Sequence, residues 1–446
     1  MRYAAANLGG TALSSVPPTL FRAMQHRNYR IFFLGQLVSL IGTWMQSVAQ
    51  SWLVYRLTGS AVLLGTVGFA SQIPVFLLSP IGGVVADRRE RRRILLATQA
   101  ASMLLAFALA WLTLSGRIQV WQVLSLAALL GVANGFDIPT RQSFVVELVG
   151  RQDLVNAIAL NSSMFNGARI VGPAVAGVVV AAVGEGWCFF ANALSYVAVL
   201  ASLLALRLAP REPAAARASP LAQILEGWRF VARTRPIRAL LLLLGLVSLT
   251  GMPYAVLMPV MAEDVLHAGA SGLGLLMGAS GTGALVGALV LARRTSLRGL
   301  GGWVASAALA FGVALIAFSF SRHFWLSVAL LLPVGFAMLL QMSSSNTLIQ
   351  SMVPDQLRGR VMSAYSMMFM GMAPLGALLA GTLAEAVGAP ATIATGGVVC
   401  ILGALAFRAR LPEIRRETRE LILAQEEAAR GPEMVIHTAP HSGPDR

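Results

Sequence analysis

Twelve times along this chain the sequence runs for about twenty residues or more with scarcely a charge. No other feature limits the fold so tightly. In lipid every backbone N–H and C=O must find its partner within the protein, so apolar runs of this length are read as spanning α-helices. They lie at approximately 29–57, 61–86, 93–115, 119–145, 154–181, 186–208, 237–263, 272–293, 301–320, 324–351, 357–386 and 390–409. Charged residues make up 12% of the 446, against about 25% in a soluble globular domain. The expected fold class is an all-α membrane protein with 12 transmembrane helices.

A repeat organises those helices. The stretch from Gly131 to Gly177 aligns without a gap on Gly335 to Gly381, 204 residues later, with 11 of 47 positions identical. Gly131/Gly335, Gln152/Gln356, Phe165/Phe369, Gly167/Gly371, Gly172/Gly376 and Gly177/Gly381 are among them. Such a repeat in so apolar a chain implies two copies of one membrane bundle. The expected organisation is an N-terminal segment at 1–27, an N-terminal six-helix bundle at 28–208, a linker at 209–236, a C-terminal six-helix bundle at 237–409 and a tail at 410–446. In the linker Leu221, Ile224, Leu225 and Trp228 share one face of a possible surface helix. The copies differ in charge: Asp137, Arg141, Glu147 and Arg169 stand opposite Gln341, Ser345, Ser351 and Ala373.

The net charge of +15 comes from arginine, for the chain holds no lysine. Arginines gather in alternate loops: Arg22, Arg27 and Arg30; Arg88 to Arg93; Arg151; the 207–238 linker; Arg293, Arg294 and Arg298; Arg358 and Arg360; and the tail from Arg408. That asymmetry fits the positive-inside rule, with both termini expected in the cytoplasm, and it argues against nucleic acid as a partner. The first 27 residues show no signal-peptide core, so the first spanning helix is expected to direct insertion. Cys188 and Cys400 fall in separate apolar segments and are expected to be packing residues. No metal site, cofactor or enzymatic activity is expected. There is no His/Cys cluster with ligand spacing, no Ser–His–Asp set, and no lysine with which to build a phosphate-cradling loop.

The polar residues inside the spanning segments are the functional candidates, because a charge at that depth is costly. Asp137 and Arg141 are four apart and can pair along one helix face. Asp137 serves either as a structural clamp or gate, or as a proton-titrating site. Arg169, near the midplane, needs a partner: Asp137, an anionic substrate in a central cavity, or a purely structural mate. Gln46, Gln50, Asn161 and Gln341 are candidates for the cavity lining, with helix–helix hydrogen bonding the competing role for Gln46 and Gln50. Met342, Met362, Met367, Met368, Met370 and Met372 suit either core packing or an adaptable binding wall. Gly172, Pro173 and Gly177 are expected to bend the fifth helix and pack it closely.

Gly83, Asp87, Arg88, Arg91 and Arg92 follow the pattern of the loop after the second helix in the major facilitator superfamily, with Glu90 where that family usually has glycine. Gly172-Pro173 resembles the superfamily's antiporter motif, with Ala176 replacing a glycine. GTWMQSVAQSWLVYRLTGSA, ADRRERRR, FDIPTRQSFVVELV and DVLHAGASGLGLLMGASGTGALVGA are similar to the bacterial branch that includes enterobactin (siderophore) exporters. The resemblance covers 20–410. It implies that Asp87 closes the cytoplasmic side by pairing with the start of the eleventh helix, where Arg358 and Arg360 stand, with Glu147 also at this gate. It further implies a secondary active transporter in the bacterial inner membrane, a proton-coupled exporter of a siderophore, drug or other amphipathic metabolite. Asp137, Arg141 and Arg169 would be the proton-coupling candidates. The expected partners are a small-molecule substrate, protons and membrane lipid, and the expected state is a monomer. The alternatives are an importer or facilitator on the same fold, or a non-transporting membrane sensor or secretion partner.

Overall fold

A computed structural model of the chain describes residues 21–150, 152–208, 220–294, 296 and 299–430. Residues 1–20, linker residues 209–219, Arg151, Arg298 and the tail beyond 430 lie outside the described residues, as do the side chains of Leu221 and Ile224. Twelve helices are long and apolar enough to cross a membrane. They are α1 (Arg27–Thr58), α2 (Ala61–Arg88), α3 (Arg91–Leu114), α4 (Val120–Val149), α5 (Leu154–Val183), α6 (Glu185–Ala205), α7 (Arg235–Val265), α8 (Gly269–Ala292), α9 (Leu300–Phe320), α10 (Phe324–Met352), α11 (Asp355–Val387) and α12 (Ala389–Ala409). With an even number of crossings, the start of α1 and the end of α12 lie on one face, here called the terminal face. A linker helix (Pro220–Arg233) and a C-terminal helix (Leu411–Arg430) also lie at that end. The linker helix rests on α11 with Trp228 half-buried and Leu225 exposed.

The packing follows the repeat. Helix α2 runs along α4, and α8 runs along α10. Helices α1 and α6 pair, as do α3 and α6. Between the halves, α5 lies against α8 and α11 against α2. Helices in lipid gain little from hydrophobic burial, so close backbone approach through small residues carries the association. Several glycines shared by the two repeats stand at close helix contacts. A Cβ on Gly172 would meet Trp44 Cβ at 2.5 Å on α1, and one on its counterpart Gly376 would meet the Leu249 carbonyl at 2.4 Å on α7. A Cβ on Gly177 would lie 3.0 Å from Gly274 Cα on α8, and one on Gly381 would lie 2.6 Å from the Ala61 carbonyl on α2. The correspondence reaches the turns: Gly184 (φ 90°) and Gly388 (φ 85°), again 204 apart, end α5 and α11 in conformations that favour glycine.

Helix α7 is the irregular member. Ordinary α-helix from Arg235 gives way to a wide π turn at Val247–Gly251, a 3-10 turn at Met252–Ala255, and a second π turn at Met261–Val265. Pro253 and Pro259 remove two backbone donors from this stretch, which forces the ladder out of the i→i−4 pattern. Tyr254, buried in the middle, is fixed by a 2.7 Å hydrogen bond with Ser280 on α8 and an edge-on contact with Phe311 on α9.

The contact between α8 and α10 is the tightest. A Cβ on Gly335 would lie 1.8 Å from the Ser280 carbonyl oxygen, and one on Gly283 would lie 1.9 Å from that of Leu332. Gly83, by contrast, has nothing within 4 Å of the corresponding position. Thermal unfolding of the purified protein in detergent should therefore separate two variants. Gly335→Ala is expected to lose about 1–3 kcal/mol through overpacking. Gly83→Ala should be neutral or gain up to about 1 kcal/mol from better helix propensity. Equal melting temperatures would show that the α8–α10 contact yields freely.

Candidate functional site

The halves meet along only part of their length. On the α2–α11 seam the glycine contacts run from Ala61 and Gly65, against Ala377 and Gly381, as far as Phe76 against Gly371. On the α5–α8 seam they run from Gly177 and Gly274 to Arg169 and Gly281. These contacts run from the face opposite the terminal face to about mid-helix. Side chains reinforce the same end. Tyr55 at the end of α1 donates a hydrogen bond to Asp264 at the end of α7, and Ser60 donates to Glu385 across 3.4 Å. Arg56 grips Glu185 of α6 with two hydrogen bonds of 2.7 and 3.3 Å.

At the terminal face the arrangement is the reverse. The sequence-based expectation of an Asp87 latch onto α11 is not met. Asp87 is exposed and pairs with Arg91 at 3.3 Å inside its own half. Arg91 is buried and bridges three elements: besides Asp87 it donates to the Ser143 carbonyl at 2.6 Å and to Glu147 at 2.9 Å. Arg92 donates to the Leu204 carbonyl, Arg88 is exposed, and Gly83 faces open space. Across the seam Arg360 pairs with Glu226 of the linker helix, and Arg358 also belongs to the second half. Asp87 and Glu147 thus share Arg91 within the first half, and Arg360 is engaged by the linker helix.

Inside the first half, Asp137 is 3% exposed and well satisfied. It accepts from Gln99 Nε2 at 2.7 Å and Thr98 Oγ1 at 3.0 Å, both on α3, and pairs with Arg141 Nε at 3.4 Å. The carboxylate thus points into its own bundle. Arg169 has no ion pair with it, so of the partners offered for Arg169, Asp137 is not the one found; Thr98, Gln99 and Arg141 already surround the carboxylate. The Arg169 guanidinium instead sits over the ring of Trp44 on α1, 5.8 Å from its centroid. Trp44 meets Phe165 edge-on at 5.6 Å.

The candidates for a cavity lining divide. Gln46 is buried between α1 and α6, accepting from Asn192 Nδ2 at 2.7 Å, so it ties helices together and does not line a cavity. Gln341 is also corrected: it is fully buried within the second half. Its two amide atoms, with the hydroxyls of Ser344, Ser345 and Ser248, have no partner among the described residues. Gln341 occupies the place of Asp137, but α9, which packs along α10, buries Val304, Ala305 and Ala308 and has no counterpart of Thr98 and Gln99 there. Asn161 accepts from the Tyr29 hydroxyl at 3.0 Å, and Gln50 is half-buried without a hydrogen bond among the described residues. Gly172, Pro173 and Gly177 are buried in the contacts of α5 with α1 and α8. Sequence reasoning passed over Tyr55, Trp44 and Glu226. Each gains its role from a partner more than a hundred residues away.

The pair Asp137 and Gln341 allows a contrast in stability. Asp137→Ala leaves Arg141, Thr98 and Gln99 without their acceptor and is expected to cost about 3 kcal/mol or more. Asp137→Asn, which keeps an acceptor, should cost less. Gln341→Leu removes polar atoms that no protein group satisfies and should leave the melting temperature unchanged or raise it. A large loss with Gln341→Leu would show that those atoms are satisfied after all.

Comparison with known proteins agrees with this geometry. The family model described as transmembrane secretion effector matches residues 19–444. The staphyloferrin A transporter of Staphylococcus aureus is 28% identical over 87% of this chain and 98% of its own length. The multidrug efflux pump Tap of Mycolicibacterium fortuitum is 30% identical over 86% and 96%, and the enterobactin exporter EntS of Citrobacter koseri 26% over 88% and 93%. Among solved structures, a POT family transporter superposes with a TM-score of 0.71 over 87% of this chain and 96% of that one, at 11% identity. The nucleoside transporter NupG gives 0.66 over 86% and 99%, at 14% identity. At such identities these structures establish the fold alone.

Proposed function

We propose that this chain, which belongs to the transmembrane secretion effector family of the major facilitator superfamily, exports an amphipathic small molecule from the bacterial cytoplasm in exchange for protons. Membership of the family makes it a multi-pass membrane transporter and not an enzyme. The direction, the coupling ion and the substrate class are our reading. The observation that carries it is the one-sided glycine packing between the two six-helix units, 28–208 and 237–409: the close contacts run from the face opposite the terminal face to mid-helix, while Gly83 and Gly359, nearer the terminal face, meet nothing within 4 Å. That is one of the two states through which alternating access must pass.

The arginine-rich loops lie on the terminal face, which supports a cytoplasmic position for both termini in the inner membrane. The open side then faces the compartment from which an exporter loads. Named relatives that export a siderophore or expel drugs support the direction and the substrate class. Asp137 supports proton coupling. It is the one carboxylate among the described residues that lies inside a spanning helix away from its ends, and it is paired with Arg141 at 3.4 Å. The transporter works as a monomer in this reading.

Cells expressing wild type or Asp137→Asn, with and without an uncoupler, test the proposal by mass spectrometry of small molecules inside and outside. A compound should appear outside only with wild type, and the uncoupler should abolish this. Equal export by both proteins would make Asp137 a structural clamp. Accumulation inside the cells would replace export by import. The Tyr55–Asp264 contact offers a second check. Tyr55→Phe should speed labelling of Ser60→Cys by a membrane-impermeant maleimide, because it removes a hydrogen bond that holds the outer side shut. An unchanged rate would show that the glycine contacts alone hold it.

A further inference from the structure

Three charged side chains among the described residues lie within the spanning helices away from their ends: Asp137, Arg141 and Arg169. Asp137 and Arg141 offset each other. Arg169 is left over, half-buried, with no ion pair or hydrogen bond among the described residues. Its one close partner is the Trp44 ring at 5.8 Å, and a cation–ring attraction is small beside the cost of dehydrating a guanidinium. A charge kept at this depth calls for a partner of opposite sign at some stage of the working cycle.

The surroundings say what kind of partner fits. Phe165 and Arg169 are four residues apart and share a face of α5, and Trp44 meets both from α1. Phe165 is largely exposed and Trp44 half-buried, so the two rings form an open apolar shelf with a cation at one end. The Arg169 carbonyl lies 3.1 Å from the Cβ position of Gly281 on α8. The site therefore borders the second half. The repeat places Ala373 where a second cation would be, so one anionic end is all it can hold.

We propose that Arg169, with Trp44 and Phe165, forms a binding site for an organic anion, a carboxylate or similar group carried on an apolar or aromatic body. This rests on the transporter reading and names the substrate class for it. Arg169 grips the charged end, and the rings hold the body beside the seam.

The test is equilibrium binding to the full-length protein in nanodiscs, read by tryptophan fluorescence and by ligand-dependent melting. The probes are naphthoate and its neutral amide. Wild type should bind naphthoate the more tightly. Arg169→Gln should weaken naphthoate on the order of ten- to a hundredfold, as for loss of a charge-assisted hydrogen bond, and leave the amide unchanged. Arg169→Lys should recover part of the loss. Without ligand, Arg169→Gln should melt higher than wild type, because it removes an uncompensated charge. If wild type does not distinguish the two probes, or if Arg169→Gln melts lower and binds both alike, the residue is a structural tie to Trp44 and the proposal falls. If replacing phosphatidylcholine by phosphatidylglycerol displaces naphthoate, the site belongs to a lipid headgroup and the substrate assignment falls. Binding at equilibrium needs no flux, so failure here is distinct from failure of the export experiment.

Discussion

Bare backbone against bare backbone is the contact on which this molecule depends. Where α5 meets α8 and α2 meets α11, glycine faces glycine or a carbonyl, and a single methyl group would intrude. Lipid gives helices little reason to associate through apolar side chains, so the two halves hold together by dispersion across surfaces stripped of side chains. The same device joins α2 to α4 and α8 to α10, where Gly131 and Gly335 occupy equivalent places. Everything charged or polar in the interior is arranged around these crossings. Arg169 stands where the α5–α8 seam ends, and the Tyr55–Asp264 bond lies beyond the seams at the closed face.

Much of this was legible in the sequence because the physics is local. Runs of apolar residues specify spanning helices whatever their neighbours do, and a 204-residue shift that superposes glycines already announces equivalent crossings. The i,i+4 pairing of Asp137 with Arg141 needed only helix geometry. What could not be read was partnership between distant segments. Nothing near Gln46 reveals that Asn192 will meet it, and nothing near Arg169 reveals Trp44. The charges at the terminal face failed for another reason. If the protein alternates between states as proposed, it has two sets of contacts, and the set the resemblance implies, Asp87 against the start of α11, would belong to a state in which that face is shut.

The halves share packing residues but not polar ones, and the asymmetry has a structural meaning. In the first half a carboxylate accepts from a hydroxyl and an amide and pairs with a guanidinium within a single bundle. In the second half the corresponding region holds neutral groups only, with apolar neighbours on α9. One bundle thus carries the chemistry that responds to charge. The other brings glycines, Gly274, Gly281 and Gly381 among them, to its contacts with the first.

The irregular course of α7 has its own consequence. A π turn holds one residue more than an α turn, and one residue corresponds to about 100° of rotation about the helix axis. The two wide turns flank Tyr254, and the second contains Asp264. Were the first to revert to ordinary α register, every side chain beyond it would swing by that angle, carrying Tyr254 off Ser280 and Asp264 off Tyr55 together. The segment is built like a crankshaft, in which a slip along the axis becomes a turn at the far end.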